Sequence, residues 1–249
     1  MIRVENLHIA FENNQVLKGL FLTINESDTL VIVGISGIGK SVLLKCIAGL
    51  LKPSRGQIYI DEQEVIHASK NDLLRIRKKI GMLFQEGALF DSMTVFENVA
   101  FPLVYHKVYS KKEIDNKVHE YIEIVEMRDF LNAFPNELSG GMKRKVALAR
   151  AMILEPKYLF YDEPTSGLDP SSAAVVESMI LKLKREMCIT SLIVTHDIEL
   201  SRYVGEKIAL LEEGIIVAIQ EKEKAFKNDS LIYKHFIEKR ERIRIANGS

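Results

Sequence analysis

A five-residue run of apolar and β-branched residues, Thr29–Val33, leads directly into a loop with three glycines that ends in Lys40 and Ser41. This loop, Gly34–Ser41, has the spacing G-x-x-x-x-G-K-S, and the apolar pattern that follows it is helical. Glycines let the backbone curl so that several N–H groups point at one anion, and a helix N-terminus adds partial positive charge. The arrangement predicts a phosphate-binding site and disfavours a plain glycine-rich turn with a solvated lysine.

The loop supplies a set of candidate ATP-binding residues. Lys40 is expected to reach the β- and γ-phosphates, and the Ser41 hydroxyl is expected to ligate Mg²⁺. Val42 stands where a second hydroxyl would contact the α-phosphate, so only its backbone N–H is available there. The candidates are Gly34, Ile35, Ser36, Gly37, Ile38, Gly39, Lys40, Ser41 and Val42.

Composition narrows the class of protein further. The 249 residues are enough for one large α/β domain, or for one domain with a small insertion. The 34 basic and 34 acidic side chains give zero net charge, so no global positive field draws the chain to nucleic acid. Two cysteines do not form a disulfide framework. Without a signal peptide or a long apolar run, we expect a cytoplasmic protein that lacks a membrane span of its own.

The order of the patterns predicts an α/β fold with a mostly parallel sheet and helices on both of its faces. A helical insertion of about three helices is predicted over Thr94–Leu154, and further helices over Lys40–Leu51, Ser171–Glu186 and a tail, Asp229–Ala246. The predicted strands are Ile2–Phe11, Leu20–Ile24, Thr29–Val33, Gln57–Ile60, Ile80–Phe84, Lys157–Tyr161, Thr190–Thr195, Lys207–Leu211 and Ile215–Ile219.

Two acidic residues, Asp162 and Glu163, end an apolar strand. Beside a phosphate loop, Asp162 is expected to hold Mg²⁺ through water, and Glu163 to polarise the attacking water. Alone, the pair would also fit a solvated acidic turn. His196 follows the strand that ends at Thr195, and a single histidine there is more often structural; its place at the C-terminal edge of a parallel strand favours a functional role.

A second anion-binding element is predicted at Leu138–Met142, which reads Leu-Ser-Gly-Gly-Met and opens another helix. Ser139 can cap that helix, while Gly140 and Gly141 leave backbone N–H groups bare at its positive end. The same residues could form a simple capping turn. A second phosphate cradle in a chain that already has one is nevertheless distinctive.

With these motifs in this order, the chain resembles the nucleotide-binding subunits of ATP-binding cassette (ABC) transporters. Gly34–Ser41 resembles the Walker A loop, Tyr158–Glu163 resembles Walker B, and Leu138–Met142 resembles the family signature, with Met142 in place of the usual Gln. The resemblance implies a P-loop NTPase cassette with a mostly parallel sheet core, an antiparallel β N-terminal part and a helical insertion. It implies a RecA-like ATP-binding core over 1–85 and 157–228, a helical signature subdomain over 86–156, and a C-terminal helical tail over 229–249.

The resemblance also assigns roles. Phe11 would stack on adenine, Val16 would line that pocket, and Asp169, in the D-loop, would act across a subunit interface together with Leu138, Ser139, Gly140, Gly141 and Met142. Gln85 resembles the Q-loop glutamine and His196 the switch histidine. The implied catalytic set is Glu163, His196 and Gln85, and the implied Mg²⁺ ligands are Ser41, Gln85 and Asp162.

The implied partners are a second copy, packed head to tail around two ATPs, and a membrane permease that contacts Glu86–Leu103. The run Met82–Leu103 closely resembles the ATPases of bacterial MCE/Mla-type systems, which move phospholipids or other hydrophobic molecules across the cell envelope. This implies an MCE-domain partner, no nucleic acid, and a peripheral position on the cytoplasmic face of the inner membrane. The apolar residues of Met82–Leu103 could instead belong to the hydrophobic core of the helical insertion.

Other functions stay open at this point. A DNA-repair ABC ATPase needs a long coiled coil between Gln85 and the signature, where only about 50 residues lie, and a translation ABC ATPase carries two cassettes. An importer or exporter for another solute, and a nucleotide-switched scaffold without transport, are alternatives. The cargo, its direction, the identity of the permease, the binding of a small regulatory subunit and the role of the basic tail cannot be read from the sequence.

Overall fold

The computed structural model describes residues 1–12, 14–107 and 109–234, which pack as two compact units. Unit 1 combines Met1–Ile76 with the described part of Thr190–Ser249, and unit 2 is Arg77–Ile189. The phosphate loop therefore belongs to unit 1, and the acidic pair and the signature belong to unit 2. The three-part division expected from the motifs places its boundaries elsewhere and stays a prediction.

The strands and helices of the described residues are as follows, in chain order. The strands are β1 (Ile2–Phe11), β2 (Asn14–Ile24), β3 (Thr29–Val33), β4 (Arg55–Ile60), β5 (Gln63–Glu64), β6 (Ile80–Leu83), β7 (Tyr158–Asp162), β8 (Thr190–Thr195), β9 (Lys207–Glu212) and β10 (Ile215–Glu221). The α-helices are α1 (Lys40–Ile47), α2 (Lys70–Lys78), α3 (Val95–His106), α4 (Lys111–Ile124), α5 (Gly140–Met152), α6 (Pro170–Met187), α7 (Ile198–Val204) and α8 (Lys222–Ala225).

Unit 1 contains an antiparallel sheet and a mostly parallel set of strands. β1 pairs with β2 and β4, and β4 pairs with β5, all antiparallel. β3 pairs in parallel with β8 and β9, while β10 joins β9 antiparallel. Every residue of β3 and β8 is buried, which explains why both read as continuous apolar or β-branched runs rather than as alternating patterns.

Unit 2 combines a parallel pair of strands with helices. β6 pairs with β7, with Ile80 opposite Tyr158 and Leu83 opposite Tyr161. Helix α5 packs on β6, α3, α4 and α6. The approach to β6 is close, because a Cβ on Gly81 would lie 2.3 Å from the Ala151 carbonyl oxygen.

Several predicted boundaries were wrong. The helix expected over Lys40–Leu51 ends at Ile47, because Gly49 adopts a left-handed conformation (φ 66°) that terminates it. The strand expected from Leu20 begins at Asn14, and α2 was not predicted. Three α-helices do lie within the described residues of Thr94–Leu154. Most of the tail helix expected over Asp229–Ala246 falls on residues 235–249, which lie outside the described residues.

Candidate nucleotide-binding and hydrolysis site

The phosphate loop closes around its own lysine. Lys40 is 4% exposed, and its Nζ donates hydrogen bonds to the carbonyl oxygens of Gly34 (2.9 Å) and Ile35 (3.2 Å). Gly37 (φ 79°) and Gly39 (φ 110°) take left-handed conformations, which curl the loop. Gly39 is also the N-cap residue of α1 and has no side chain with which to cap it. The loop thus brings an ammonium group to the positive end of a helix, where a phosphate can bind.

The loop fits tightly against two neighbouring segments. A Cβ on Gly34 would lie 2.7 Å from the Leu211 carbonyl oxygen, and a Cβ on Gly39 would lie 2.6 Å from Val16 Cγ1. Val16 therefore packs close to the phosphate loop, and its place beside the nucleotide stays a prediction. Phe11 ends β1 opposite Asn14 and is 45% exposed, so its ring is available for stacking.

We expect Phe11→Ala to raise the KM for ATP about fivefold and to change kcat less. The loss of one stacked ring corresponds to about 1 kcal/mol of binding free energy. The measurement is ATP hydrolysis against ATP concentration, with Phe21→Ala as the control because Phe21 is also exposed (61%). An unchanged nucleotide affinity would show that the adenine binds elsewhere.

His196 lies near the same strand end as the phosphate loop. Val33, which precedes the loop, pairs with Thr195, so Gly34 and His196 follow neighbouring parallel strands. His196 is half-buried. Asp197 fixes the backbone after it, because its N–H donates to Thr195 Oγ1 (3.0 Å) and its carboxylate accepts from the N–H groups of Glu199 and Leu200.

Within unit 2, Gln85 and the acidic pair also follow neighbouring strands. Leu83 is opposite Tyr161, so Gln85 comes just after β6, and Asp162 and Glu163 come at the end of β7. Asp162 is 4% exposed and Glu163 is 8% exposed. Glu163 has a positive φ of 47°, which is uncommon for a residue with a Cβ and is often found at functional positions.

The signature residues form the start of α5. The Ser139 hydroxyl oxygen accepts a hydrogen bond from Met142 N–H (3.3 Å) and caps the helix. Ser139 and Gly140 are exposed, whereas Leu138 and Gly141 are buried and Met142 is half-buried. The exposed first turn of this 13-residue helix carries the partial positive charge of a helix N-terminus, and anion binding there stays a prediction.

Asp169 lies at the start of α6, beside the signature. Its carboxylate accepts hydrogen bonds from the N–H groups of Ser171 and Ser172, both 3.0 Å long. Hydrogen bonds from the side chain and backbone of Ser172 hold the pKa of Asp169 below its usual value. The two helix starts are close, since a Cβ on Gly141 would lie 2.9 Å from Ser172 Oγ.

The sequence also matches a known protein family. Residues 17–166 match the family model described as ABC transporter. The chain belongs to the ABC transporter family. It carries the ATP-binding domain of that family, and the ABC cassette fold expected from the sequence is confirmed.

Relatives and solved structures agree with this assignment. The ABC chain is 38% identical over 236 residues to the probable ribonucleotide transport ATP-binding protein mkl of Mycobacterium tuberculosis (strain ATCC 25618 / H37Rv), covering 95% of this chain and 66% of that protein. It is 38% identical over 220 residues to the methionine import ATP-binding protein MetN of Carboxydothermus hydrogenoformans, covering 87% and 65%. The chain thus spans about two thirds of the length of these relatives.

Among solved structures, the ABC chain is similar to the dimeric post-hydrolysis state of the ATP-binding cassette MJ0796 bound to ADP and Pi. The TM-score is 0.82 at 33% identity, and the match covers 89% of this chain and 99% of that one. The chain is accordingly an ABC ATPase domain.

Arg144 is a residue of this ABC domain that the sequence reasoning missed. It is 6% exposed, and its guanidinium donates to the carbonyl oxygens of Pro164 and Ser166, both 3.3 Å away. Burial lowers the pKa of Arg144, against the opposing effect of Glu86. Arg144 thus ties the signature helix to the turn that follows Glu163. Only its polar character at a buried helix position could have revealed it.

The side chains predicted from the sequence to ligate Mg²⁺ have donor atoms that suit this ion. The Ser41 hydroxyl, the Gln85 amide and the Asp162 carboxylate each offer oxygen, which a hard cation prefers. Within residues 1–12, 14–107 and 109–234, no group of three or more His, Cys, Asp or Glu could hold a metal by itself.

An apolar groove lies in the helical part of unit 2. The Phe90 and Phe101 ring centroids are 4.7 Å apart, and Tyr105 stacks on Phe101 at 6.1 Å. Phe90, Val104 and Tyr105 are 40%, 55% and 59% exposed. A pocket of about 650 Å³ beside these rings is lined mostly by apolar side chains, Met93, Phe96, Ala100, Phe101, Val104 and Ile114, together with the polar Ser92, Glu97, Lys111 and Asp115. We call these rings and the pocket the apolar groove.

Proposed function

We propose that this chain is the ATP-hydrolysing subunit of a transporter that moves phospholipid-type molecules across the bacterial cell envelope with a separate membrane permease. The apolar groove is the observation that carries the transport part of the proposal. Exposed aromatic rings beside an apolar pocket suit a partner helix, because such a surface is costly to leave in water.

The proposed reaction is the attack of water on the γ-phosphorus of ATP, which breaks the bond to the β–γ bridging oxygen and yields ADP and phosphate. Lys40 and the loop N–H groups bind the β- and γ-phosphates. Mg²⁺ would be held by Ser41, Gln85 and Asp162, and would neutralise phosphate charge. Glu163 orients the attacking water and accepts its proton, and His196 contacts the γ-phosphate side of the site.

We propose that a second copy completes the site. The chain carries one phosphate loop and one signature, and Ser139 and Gly140 present the start of α5 to solvent. In a head-to-tail dimer, the signature of one copy, with Asp169 beside it, would bind the γ-phosphate held by Lys40 of the other. Hydrolysis removes that shared ligand and lets the dimer open.

The lipid cargo rests on the resemblance of Met82–Leu103 to MCE/Mla-type ATPases, and an MCE-domain protein is the partner it implies. The printed names of the relatives, ribonucleotide transport and methionine import, favour a second candidate, a transporter of another solute. The described residues include no helix long and apolar enough to cross a membrane. The proposed position is peripheral, on the cytoplasmic face of the inner membrane, and nucleic acid is not a proposed partner.

We expect Phe90→Asp to abolish assembly with the permease and to leave ATP binding unchanged. Burying a polar group without a hydrogen-bond partner costs on the order of 2–7 kcal/mol of free energy, and an unpaired carboxylate costs more. The measurements are co-purification with the permease, ATP hydrolysis in proteoliposomes, and movement of a fluorescent phospholipid.

Phe21→Asp is the matched control, because Phe21 is more exposed (61%) and lies on β2, in unit 1. If Phe90→Asp assembles and hydrolyses ATP like the wild type, the apolar groove is not the permease contact. If the wild-type complex hydrolyses ATP but moves methionine or a ribonucleotide rather than phospholipid, the second candidate is correct.

A further inference from the structure

The segment after Gln85 has an unusual backbone. Gly87 (φ 77°) and Ala88 (φ 46°) are consecutive left-handed residues, and Gly87 N–H donates to the Phe84 carbonyl oxygen (2.8 Å). Gly87 packs against α5. A Cβ added to Gly87 would lie 3.4 Å from both Ala147 Cβ and the Lys143 carbonyl oxygen. An alanine in this conformation is retained only when its surroundings hold it there.

Arg150, on α5, holds this turn. Its Nη1 donates to the Ala88 carbonyl oxygen (2.8 Å) and its Nη2 to the Gly87 carbonyl oxygen (2.7 Å). The two left-handed residues thus turn successive carbonyls toward one planar guanidinium. The guanidinium carbon also lies 5.8 Å from the centroid of the Phe90 ring. Arg150 is half-buried, and this burial lowers its pKa to about 10, so the group stays charged at neutral pH.

Asn98 fixes the other end of the segment. It is fully buried, and its Oδ1 accepts from Phe90 N–H (2.8 Å). Its Nδ2 donates to the carbonyl oxygens of Phe90, Met93 and Thr94, at 3.0 to 3.1 Å. Arg150 and Asn98 therefore hold the backbone from Gly87 to Thr94, with Gln85 before the first clamp and the Phe90 ring between the two.

We propose that Arg150 is a positioning residue for Gln85, which it serves by making the turn at Gly87 and Ala88 a rigid link between Gln85 and the apolar groove. The inference rests on the proposed function, which gives Gln85 its place beside the nucleotide. Because Arg150 belongs to the helix that begins with the signature, one helix holds both the signature and the segment after Gln85. A shift of the Phe90 ring is then passed to Gln85 instead of being absorbed by a loose loop.

The test compares Arg150→Met and Arg150→Lys in the full chain. Methionine keeps the length of the side chain without its donors, and lysine keeps the charge without the planar pair of N–H groups. Lys145→Met is the matched control, since Lys145 lies on the same helix and pairs with Glu126 at 3.4 Å. The readouts are hydrogen–deuterium exchange of peptide 84–94, the melting temperature, and KM and kcat for ATP.

For Arg150→Met we expect exchange at residues 87–90 to rise at least tenfold and kcat to fall about tenfold, with KM within twofold of the wild type. For Arg150→Lys, exchange at residues 87–90 and kcat should lie between the values of Arg150→Met and the wild type. Lys145→Met should match the wild type. If Arg150→Met only lowers the melting temperature, with unchanged exchange at 87–90 or unchanged kcat, the positioning role is wrong. If the wild type itself does not hydrolyse ATP, the proposed function fails, and unchanged exchange would separately overturn the clamp.

Discussion

Glu163→Gln is expected to lower kcat for ATP hydrolysis by about 10²- to 10⁴-fold while leaving ATP binding intact. Glutamine has the same shape and fits the 8% exposed position, but it cannot accept the proton of the attacking water. The phosphate contacts of Lys40 are not altered by the change. Because the bound ATP is no longer consumed, the variant should also accumulate as a dimer that is visible by size-exclusion chromatography with ATP.

Glu213→Gln is the matched control for this experiment. Glu213 has nearly the same left-handed backbone (φ 48°) as Glu163 (φ 47°), but it is exposed in the turn between β9 and β10. Phosphate release and ATP affinity should both stay at wild-type values in this control. Wild-type turnover in Glu163→Gln would mean that another group activates the water, and the assignment of Glu163 would be lost.

Gly39→Ala is expected to abolish ATP binding and to lower the free energy of unfolding by about 3 kcal/mol. Two causes add. The backbone at Gly39 has φ 110°, which strains any residue with a Cβ, and the new Cβ would lie 2.6 Å from Val16 Cγ1. Relief of this contact moves the loop that carries Lys40. The measurements are denaturant-induced unfolding and calorimetric titration with ATP.

Gly37→Ala separates the two causes. Gly37 is also left-handed (φ 79°), but no atom would lie within 4 Å of its Cβ. This variant should lose about 1 kcal/mol of stability from backbone strain alone. Equal effects of the two substitutions would show that the contact with Val16 does not matter, and wild-type ATP affinity in Gly39→Ala would show that the shape of the loop at this position does not determine binding.

The parts of the fold that sequence predicts well are those in which the signal is local. The strand β3 directly precedes the phosphate loop, and every residue of β3 is buried. The continuous apolar run and the glycine motif therefore predict the strand and the loop together. Helix α2 was missed because Ile76 is its only buried residue, which leaves too little apolar periodicity to detect. The end of α1 was misplaced because Gly49 has a left-handed backbone in the middle of an apolar run, and no neighbouring residue in the sequence indicates a helix end there.

In the candidate site, too, residues in local motifs could be predicted, and residues held by long-range contacts could not. The motif residues could be named from spacing, because their proposed partners are phosphates rather than distant side chains. Arg150 could not, since its acceptors at Gly87 and Ala88 are 63 and 62 residues away in the chain. Asn98 reads as an ordinary polar residue of a helix until its four hydrogen bonds to Phe90, Met93 and Thr94 are seen.

The apolar groove has a consequence for how such a protein is made. Phe90, Val104 and Tyr105 expose between 40% and 59% of their surface to water in a single copy. Contiguous exposed apolar surface promotes self-association when nothing covers it. If the proposed permease covers this groove, a cell that synthesised this chain in excess of the permease would accumulate copies prone to aggregation and degradation. Matched production of the two proteins would prevent this.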